Sequence, residues 1–105
     1  MPLYVALVKY NSQKTPEEQL AVGKEARAIA VEQSGGVAAI TTGSGYFGLF
    51  WTQGPADMLL SFSRADEDAA RASMKKLEER RNVTVSVFRA LTEGEKERAV
   101  DGKPV

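Results

Sequence analysis

The residues of this chain that could carry chemistry are acidic and hydroxyl side chains, because histidine and cysteine are both absent. The sequence therefore lacks the commonest general base, the commonest metal ligand and any thiol nucleophile. Serine–histidine–aspartate catalysis, cysteine–histidine catalysis and zinc sites that use these residues are excluded. No spacing of the acidic residues resembles a calcium-binding loop. We accordingly predict no catalytic residue, no cofactor and no metal site.

Asp57 is the acidic residue with the most informative surroundings. It follows a Gln-Gly-Pro-Ala turn between two apolar, aromatic-rich runs, which is typical of a β-hairpin. With the turn centred on Gly54 and Pro55, side-chain alternation predicts Asp57 beside Thr52 on the face away from the core. The common role of such an aspartate is structural, accepting backbone N–H bonds or pairing with Thr52. The functional alternative is a ligand-contacting carboxylate near the mouth of a cavity.

The same turn predicts the register of the hairpin. On one face it pairs large apolar residues: Trp51 with Met58, Leu49 with Leu60, and Phe47 with Phe62. We expect this face to pack against the hydrophobic core, and we interpret Trp51 as a core aromatic residue. The other face is too apolar for open water and too polar for a core; it carries Tyr46, Gly48, Phe50, Thr52, Asp57, Leu59, Ser61 and Ser63. That intermediate character favours a subunit interface or the lining of a cavity.

The elements around the hairpin follow from local signals. We predict a strand over 3–10, a helix from the cap Thr15 to about 33, and a strand that begins over 37–42 and continues into the hairpin. A second helix follows the cap Asp66 and ends near Asn82, before a strand over 83–88. A short helix over about 92–99 and a frayed tail over 100–105 complete one domain, 1–105.

This order, β-α-β-β-α-β, predicts an α+β fold of the ferredoxin-like kind. Two helices would cover one face of a four-stranded antiparallel sheet and leave the other face bare. We assign to the bare face the second set of hairpin residues and seven residues of the first and last strands: Tyr4, Ala6, Val8, Tyr10, Thr84, Ser86 and Phe88. A bare apolar patch of this size is unusual on a soluble monomer. We therefore predict a homodimer with interface residues Tyr4, Phe50, Leu59 and Phe88.

Charge and hydropathy limit the other partners. Lysine plus arginine and aspartate plus glutamate both total 14, so the formal net charge is zero. A nucleic-acid-binding protein usually has a basic excess or a basic stripe, and the sequence shows neither. It also shows no signal peptide and no apolar run long enough to span a bilayer. We predict a cytoplasmic protein that binds neither nucleic acid nor membrane.

A glycine-rich segment over 43–48 matches the pattern G-x-G-x-x-G. Dinucleotide binding by this pattern requires a following helix whose N-terminus contacts the pyrophosphate. A strand and a Gly-Pro turn are predicted to follow instead. We interpret the segment as a kinked strand or a loop before the hairpin, with phosphate binding as the minor alternative.

The stretch from Phe50 to Leu60, FWTQGPADMLL, resembles the signature of the GYD-domain proteins, which are small bacterial and archaeal domains. The strands over 3–10 and 82–90 resemble the two ends of that family. The Gly-Tyr-Asp core of the family is here Gly54-Pro55-Ala56-Asp57, without the tyrosine. The resemblance implies a dimeric α/β barrel of ferredoxin-like halves and no established activity. The hairpin is also similar to the ligand-sensing domain of leucine-responsive transcription regulators, in which this turn lies near an effector site between subunits.

Three functions are compatible with these observations. The first is a non-catalytic homodimeric domain that binds or senses a small polar or aromatic molecule. The second is a small dimeric-barrel enzyme that acts on an organic substrate without histidine, cysteine or metal. The third is a purely structural or interaction module. For the first, the predicted ligand-binding residues are Asp57, Tyr46, Tyr10 and Thr52.

Overall fold

Eight elements form the fold in the computed structural model, which describes residues 2–64 and 66–104. In chain order they are β1 (Leu3–Tyr10), α1 (Pro16–Gln33), α2 (Val37–Thr42), β2 (Phe47–Trp51), β3 (Met58–Ser63), α3 (Glu67–Arg81), β4 (Val83–Ala90) and α4 (Glu93–Val100). The four strands make one antiparallel sheet in the order β2-β3-β1-β4. The crossovers through α1 and α3 give the predicted ferredoxin-like α+β arrangement.

The core lies between one face of this sheet and the helices α1 and α3. Its largest fully buried side chains are Phe62, Met58, Leu60, Met74 and Leu77. Small residues of α1 complete the packing, and Val22, Ala26 and Ala30 are almost fully buried. Because these side chains are short, α1 can lie close to the sheet.

The register of the β2–β3 hairpin is confirmed. Trp51 pairs with Met58, and the pairs at 49/60 and 47/62 follow in the predicted alignment. Gly54 has φ = 134°, a conformation that other residues rarely adopt, so the turn depends on this glycine. Side-chain alternation together with a Gly-Pro turn was sufficient to determine the pairing.

The predicted helix caps are confirmed as well. The Thr15 hydroxyl accepts the Glu18 N–H, and an oxygen of Asp66 accepts the N–H groups of the first turn of α3. Asn82 ends α3 with φ = 52°, in the left-handed region that asparagine tolerates. At the start of α4, Thr92 and Glu95 form a capping box.

The strand predicted over 37–42 is wrong, because these residues form the short helix α2. Six apolar and β-branched residues do not distinguish a strand from a buried helical turn by periodicity alone. The flanking glycines decide the outcome here: Gly36 has φ = 90° at the start and Gly43 has φ = 82° at the end. Gly43 thus acts as a left-handed C-cap of α2, so part of the glycine-rich pattern terminates a helix.

The face assigned to β1 is also wrong. Tyr4 stacks on Phe62 in the core, 6.1 Å between ring centroids, and Ala6 and Val8 are fully buried on the same side. Tyr4 is therefore unavailable as an interface residue, and Tyr10 shares the helix-facing side by alternation. The residues of β1 on the opposite face are Leu3, Val5, Leu7 and Lys9. Because β1 is apolar on both faces, its alternation could not show which face packs against the helices.

The short C-terminal helix ends in a hydrogen-bonded cap. Backbone N–H groups of Asp101, Gly102 and Lys103 donate to carbonyls in the last turn of α4. Gly102, with φ = 74°, provides the left-handed residue that this C-terminal cap requires. The predicted fraying of residues 100–105 stays a prediction, and Val105 lies outside the described residues.

Candidate ligand-binding cleft

Asp57 connects the hairpin turn to the central strand β1. Its N–H donates to the Val8 carbonyl over 2.8 Å, and its Oδ2 accepts the Tyr10 N–H over 2.8 Å. The Asp57 carbonyl accepts the Thr52 N–H over 3.0 Å. The carboxylate thus extends the β1–β3 hydrogen-bond ladder to the residue before the start of β3, which confirms the predicted structural role. Thr52 does not pair with this carboxylate, because its hydroxyl donates to the Ala56 carbonyl over 2.8 Å.

Trp51, the last residue of the edge strand β2, packs its indole directly on α1. A Cβ atom added at Gly23 would lie 2.6 Å from Cζ2 of the indole, closer than a real Cβ contact. Only a glycine at this position lets the ring lie on the helix backbone. Nevertheless 47% of Trp51 is exposed, so the prediction of a core aromatic residue is only partly correct.

These residues line a cleft, here called the Trp51 cleft, at the turn end of the hairpin beside the first turns of α1. Its volume is about 470 Å³, and its lining comprises Tyr10, Gln13, Lys14, Gln19, Trp51, Thr52, Gln53 and Asp57. A volume of this size fits the usual range of small-molecule sites. Aromatic rings form part of the walls, and amide, ammonium and carboxylate groups lie around them, which is the combination that orients small ligands.

The charges of the Trp51 cleft come from Lys14 and Asp57. The Lys14 ammonium lies over the Tyr10 ring, 5.9 Å from its centroid, which is within cation–π range. Burial raises the pKa of the Tyr10 phenol, and the nearby Asp57 carboxylate raises it further. The phenol therefore stays protonated near neutral pH and is available as a hydrogen-bond donor.

The structure brings three of the four predicted ligand-binding residues together and separates the fourth. Tyr10, Thr52 and Asp57 all line the Trp51 cleft. Tyr46 lies at the opposite end of the hairpin, where its hydroxyl is 3.4 Å from Ser61 Oγ on the bare sheet face. Tyr46 is therefore not a neighbour of the other three residues, because antiparallel pairing places residues before β2 next to the end of β3. The cleft also lies on the helix side of the sheet rather than on the bare face.

Sequence reasoning missed Trp51, Lys14 and the three glutamines as members of the site. A signal for Trp51 was present in α1: a glycine inside a helix costs about 1 kcal/mol relative to alanine and often marks close packing. Gly23 fulfils that role here by accommodating the indole. Nothing in the sequence distinguished Lys14 or the glutamines from ordinary surface residues.

A second groove, of about 540 Å³, lies on the outer surface between α1 and α3. Its charged groups pair with each other, since Glu25 accepts hydrogen bonds from both Arg81 and Arg80. The Arg81 hydrogen bond, assisted by Arg80, lowers the pKa of Glu25. With its carboxylate already occupied, this larger groove is a weaker candidate site than the Trp51 cleft.

Two further features of the described residues bear on partners. Within residues 2–64 and 66–104, acidic side chains form no group of three that could hold a metal ion. None of the helices in this part of the chain is long and apolar enough to cross a membrane.

Comparisons with known proteins add little to this description. A scan against models of protein families finds no match, and a comparison with curated proteins finds none either. Among solved structures, the chain is similar to a de novo designed protein with a ferredoxin fold, whose structure was determined by solution NMR. The two chains are 12% identical, with a TM-score of 0.46 over 89% of this chain and 87% of the designed one.

Proposed function

We propose that this chain is a non-catalytic homodimeric domain that binds a small molecule in the Trp51 cleft. The observation that carries the proposal is the convergence of Tyr10, Thr52 and Asp57, from separate segments, around an indole seated on Gly23. Sites with aromatic walls and a few fixed polar groups are typical of small-ligand recognition. A ligand would contact residues whose backbone positions are already fixed by the sheet.

The same geometry favours binding over acid–base catalysis. The raised pKa of Tyr10 keeps its phenol from acting as a base near neutral pH. One oxygen of Asp57 already accepts the Tyr10 N–H, which holds the carboxylate in the strand ladder. These two groups can orient a ligand by hydrogen bonds.

The homodimer is proposed from the sheet face that α1 and α3 leave uncovered. Strand registers place Phe50, Leu59 and Leu7 in one row across this face, and Val5 and Phe88 in the neighbouring row. Phe50 is 58% exposed and Phe88 is 44% exposed. A second copy with the same apolar rows would cover them face to face, in the arrangement of a dimeric α/β barrel. The predicted interface residues Phe50, Leu59 and Phe88 therefore remain in the proposal, whereas Tyr4 does not.

The likeness to GYD-domain proteins stays a prediction, as does cytoplasmic location. The proposed dimer agrees with what the GYD likeness implies about assembly.

Variants of Asp57 separate its structural role from its proposed ligand role. Asp57→Ala removes the acceptor of the Tyr10 N–H and should lower the free energy of unfolding by about 1–2 kcal/mol. Asp57→Asn retains an acceptor oxygen, so it should lower the free energy of unfolding by less than about 0.5 kcal/mol. It should nevertheless abolish binding of a ligand that contacts the charged oxygen. Thermal-shift screening of metabolites on the wild type and on both variants measures these effects together.

Asp66→Asn is the matched control for this experiment. Asp66 is also an acceptor of backbone N–H groups, but it caps α3 and does not line the cleft. Asparagine is an equally good N-cap, so stability and binding should both be unchanged. The ligand role would be wrong if no metabolite stabilised the wild type while Asp57→Asn lowered the melting temperature strongly.

A further inference from the structure

The indole of Trp51 offers a flat surface at a fixed position. Its ring carbons Cζ2 and Cη2 would lie 2.6 and 2.9 Å from a Cβ atom at Gly23, so the ring rests on the α1 backbone. About half of the side chain remains exposed at the cleft. A ring held in this way costs little ordering entropy when a planar molecule stacks on it.

The only ammonium group in the lining of the cleft belongs to Lys14. It lies over the Tyr10 ring, and among the described residues it forms no ion pair with a carboxylate. A contact at 5.9 Å from the ring centroid is at the limit of a cation–π interaction and leaves the three N–H donors of the ammonium available. A ligand with a carboxylate would gain a charge-assisted hydrogen bond at this position.

The remaining polar groups can bind the rest of such a ligand. The Tyr10 hydroxyl is a donor, and the side-chain amides of Gln13 and Gln53 each carry two N–H donors and an acceptor oxygen. Asp57 is the only anionic side chain in the lining, and its Oδ2 already accepts the Tyr10 N–H. The preference for an anionic ligand therefore rests on the Lys14 ammonium, and the amide N–H groups can donate to further acceptor oxygens of the ligand.

We infer that the Trp51 cleft selects planar aromatic carboxylates, with the ring stacked on the indole and the carboxylate on the Lys14 ammonium. This inference rests on the proposed function of the cleft and adds to it the chemical class of the ligand. Gly23 is a positioning residue in this arrangement, because it sets the place of the indole without contacting the ligand.

A probe series tests the inference on the full-length protein. Trp51 is the only tryptophan in the chain, so its indole N–H gives a single, unambiguous signal in ¹⁵N–¹H NMR spectra. The probes are benzoate, benzamide, benzylammonium and cyclohexanecarboxylate, which vary charge and planarity at nearly constant size. Benzoate should shift the indole signal with an affinity about tenfold higher than that of benzamide, since a hydrogen bond to a charged group is the stronger one.

Lys14→Met should weaken benzoate binding about tenfold and leave benzamide binding unchanged, because it removes the charge and retains an unbranched chain. Lys96→Met, on α4, is the matched control and should change neither. Gly23→Ala should displace the indole and weaken the binding of benzoate and benzamide alike. If Gly23→Ala does not fold, Trp51→Leu replaces it, with binding followed at the backbone amides of Tyr10 and Thr52 because this variant has no indole signal.

The outcomes separate the ligand class from the function of the cleft. If benzamide, benzylammonium or cyclohexanecarboxylate binds as tightly as benzoate, the aromatic carboxylate class is overturned while binding in the cleft stands. If no probe shifts the indole signal, this class is also overturned, and the metabolite screen on Asp57→Asn then decides the proposed function independently.

Discussion

Replacement of Phe50 by glutamate should convert the proposed dimer into a monomer at micromolar concentration. Phe50 is 58% exposed in the single chain, and it starts the apolar row that continues through Leu59 and Leu7. A two-fold interface would bury a glutamate from each subunit against apolar surface, without a cationic partner. We expect the dissociation constant to rise at least about 100-fold, or about 2.7 kcal/mol. Sedimentation velocity measures the change directly.

Leu20→Glu is the matched control for the dimer. Leu20 is 67% exposed on α1, on the opposite side of the molecule, so the same change from apolar to acidic should leave the assembly intact. Phe88→Glu, in the neighbouring row on β4, should behave like Phe50→Glu. A wild-type protein that sediments as a monomer at micromolar concentration would contradict the proposal, as would a Phe50→Glu variant that remains dimeric.

Gly45→Ala should be the most destabilising of the glycine substitutions in the loop before β2. A Cβ atom at this position would collide with the carbonyl oxygen of Ser34, which belongs to the backbone and has little freedom to move. The Ser34 hydroxyl donates to the Tyr46 carbonyl and accepts the Ser63 N–H, so a shift there disturbs the start of β2 and the end of β3. We expect the free energy of unfolding to fall by about 3 kcal/mol, measured by chemical denaturation.

Gly94→Ala provides the comparison within the same chain. A Cβ atom at Gly94 would have only the flexible end of Arg98 within reach, at 3.8 Å, and the position lies inside α4. Alanine favours a helix over glycine by about 1 kcal/mol, so this variant should be neutral or slightly more stable. If Gly45→Ala were equally neutral, the close packing of this loop on Ser34 would be wrong.

The hairpin could be predicted from the sequence because several local signals agreed there. A Gly-Pro turn, alternating side chains and paired large residues specify one register, and the structure has that register. Helix caps at Thr15 and Asp66 were predictable for the same reason, since each rests on one side chain and its neighbouring N–H groups.

The sequence-based predictions were wrong where local signals were ambiguous. Both faces of β1 are apolar, so only the packing of α1 and α3 decides that Tyr4 is buried in the core. The six residues of α2 suit a strand or a helix, and the glycines on either side decide between them.

The candidate site could be predicted only in part. Asp57, Thr52 and Tyr10 were selected correctly as neighbours, but on the wrong face. Asp57 lies before the first residue of β3, in a bend where strict alternation no longer applies, and its carboxylate is directed to the Tyr10 N–H. The contact of Trp51 with Gly23 joins distant segments and depends on how closely α1 approaches the sheet.

Chemical-shift mapping of a bound ligand on the amide spectrum of the wild-type protein shows whether the Trp51 cleft is the binding site. A metabolite identified by the thermal-shift screen, or benzoate, would be titrated into the ¹⁵N-labelled protein. We expect the shifts to concentrate at the Trp51 indole and at the amides of Tyr10, Lys14, Thr52 and Asp57. Shifts concentrated instead at Leu59 and Phe88, on the bare face of the sheet, would contradict this expectation and place the ligand between the sheets of the dimer.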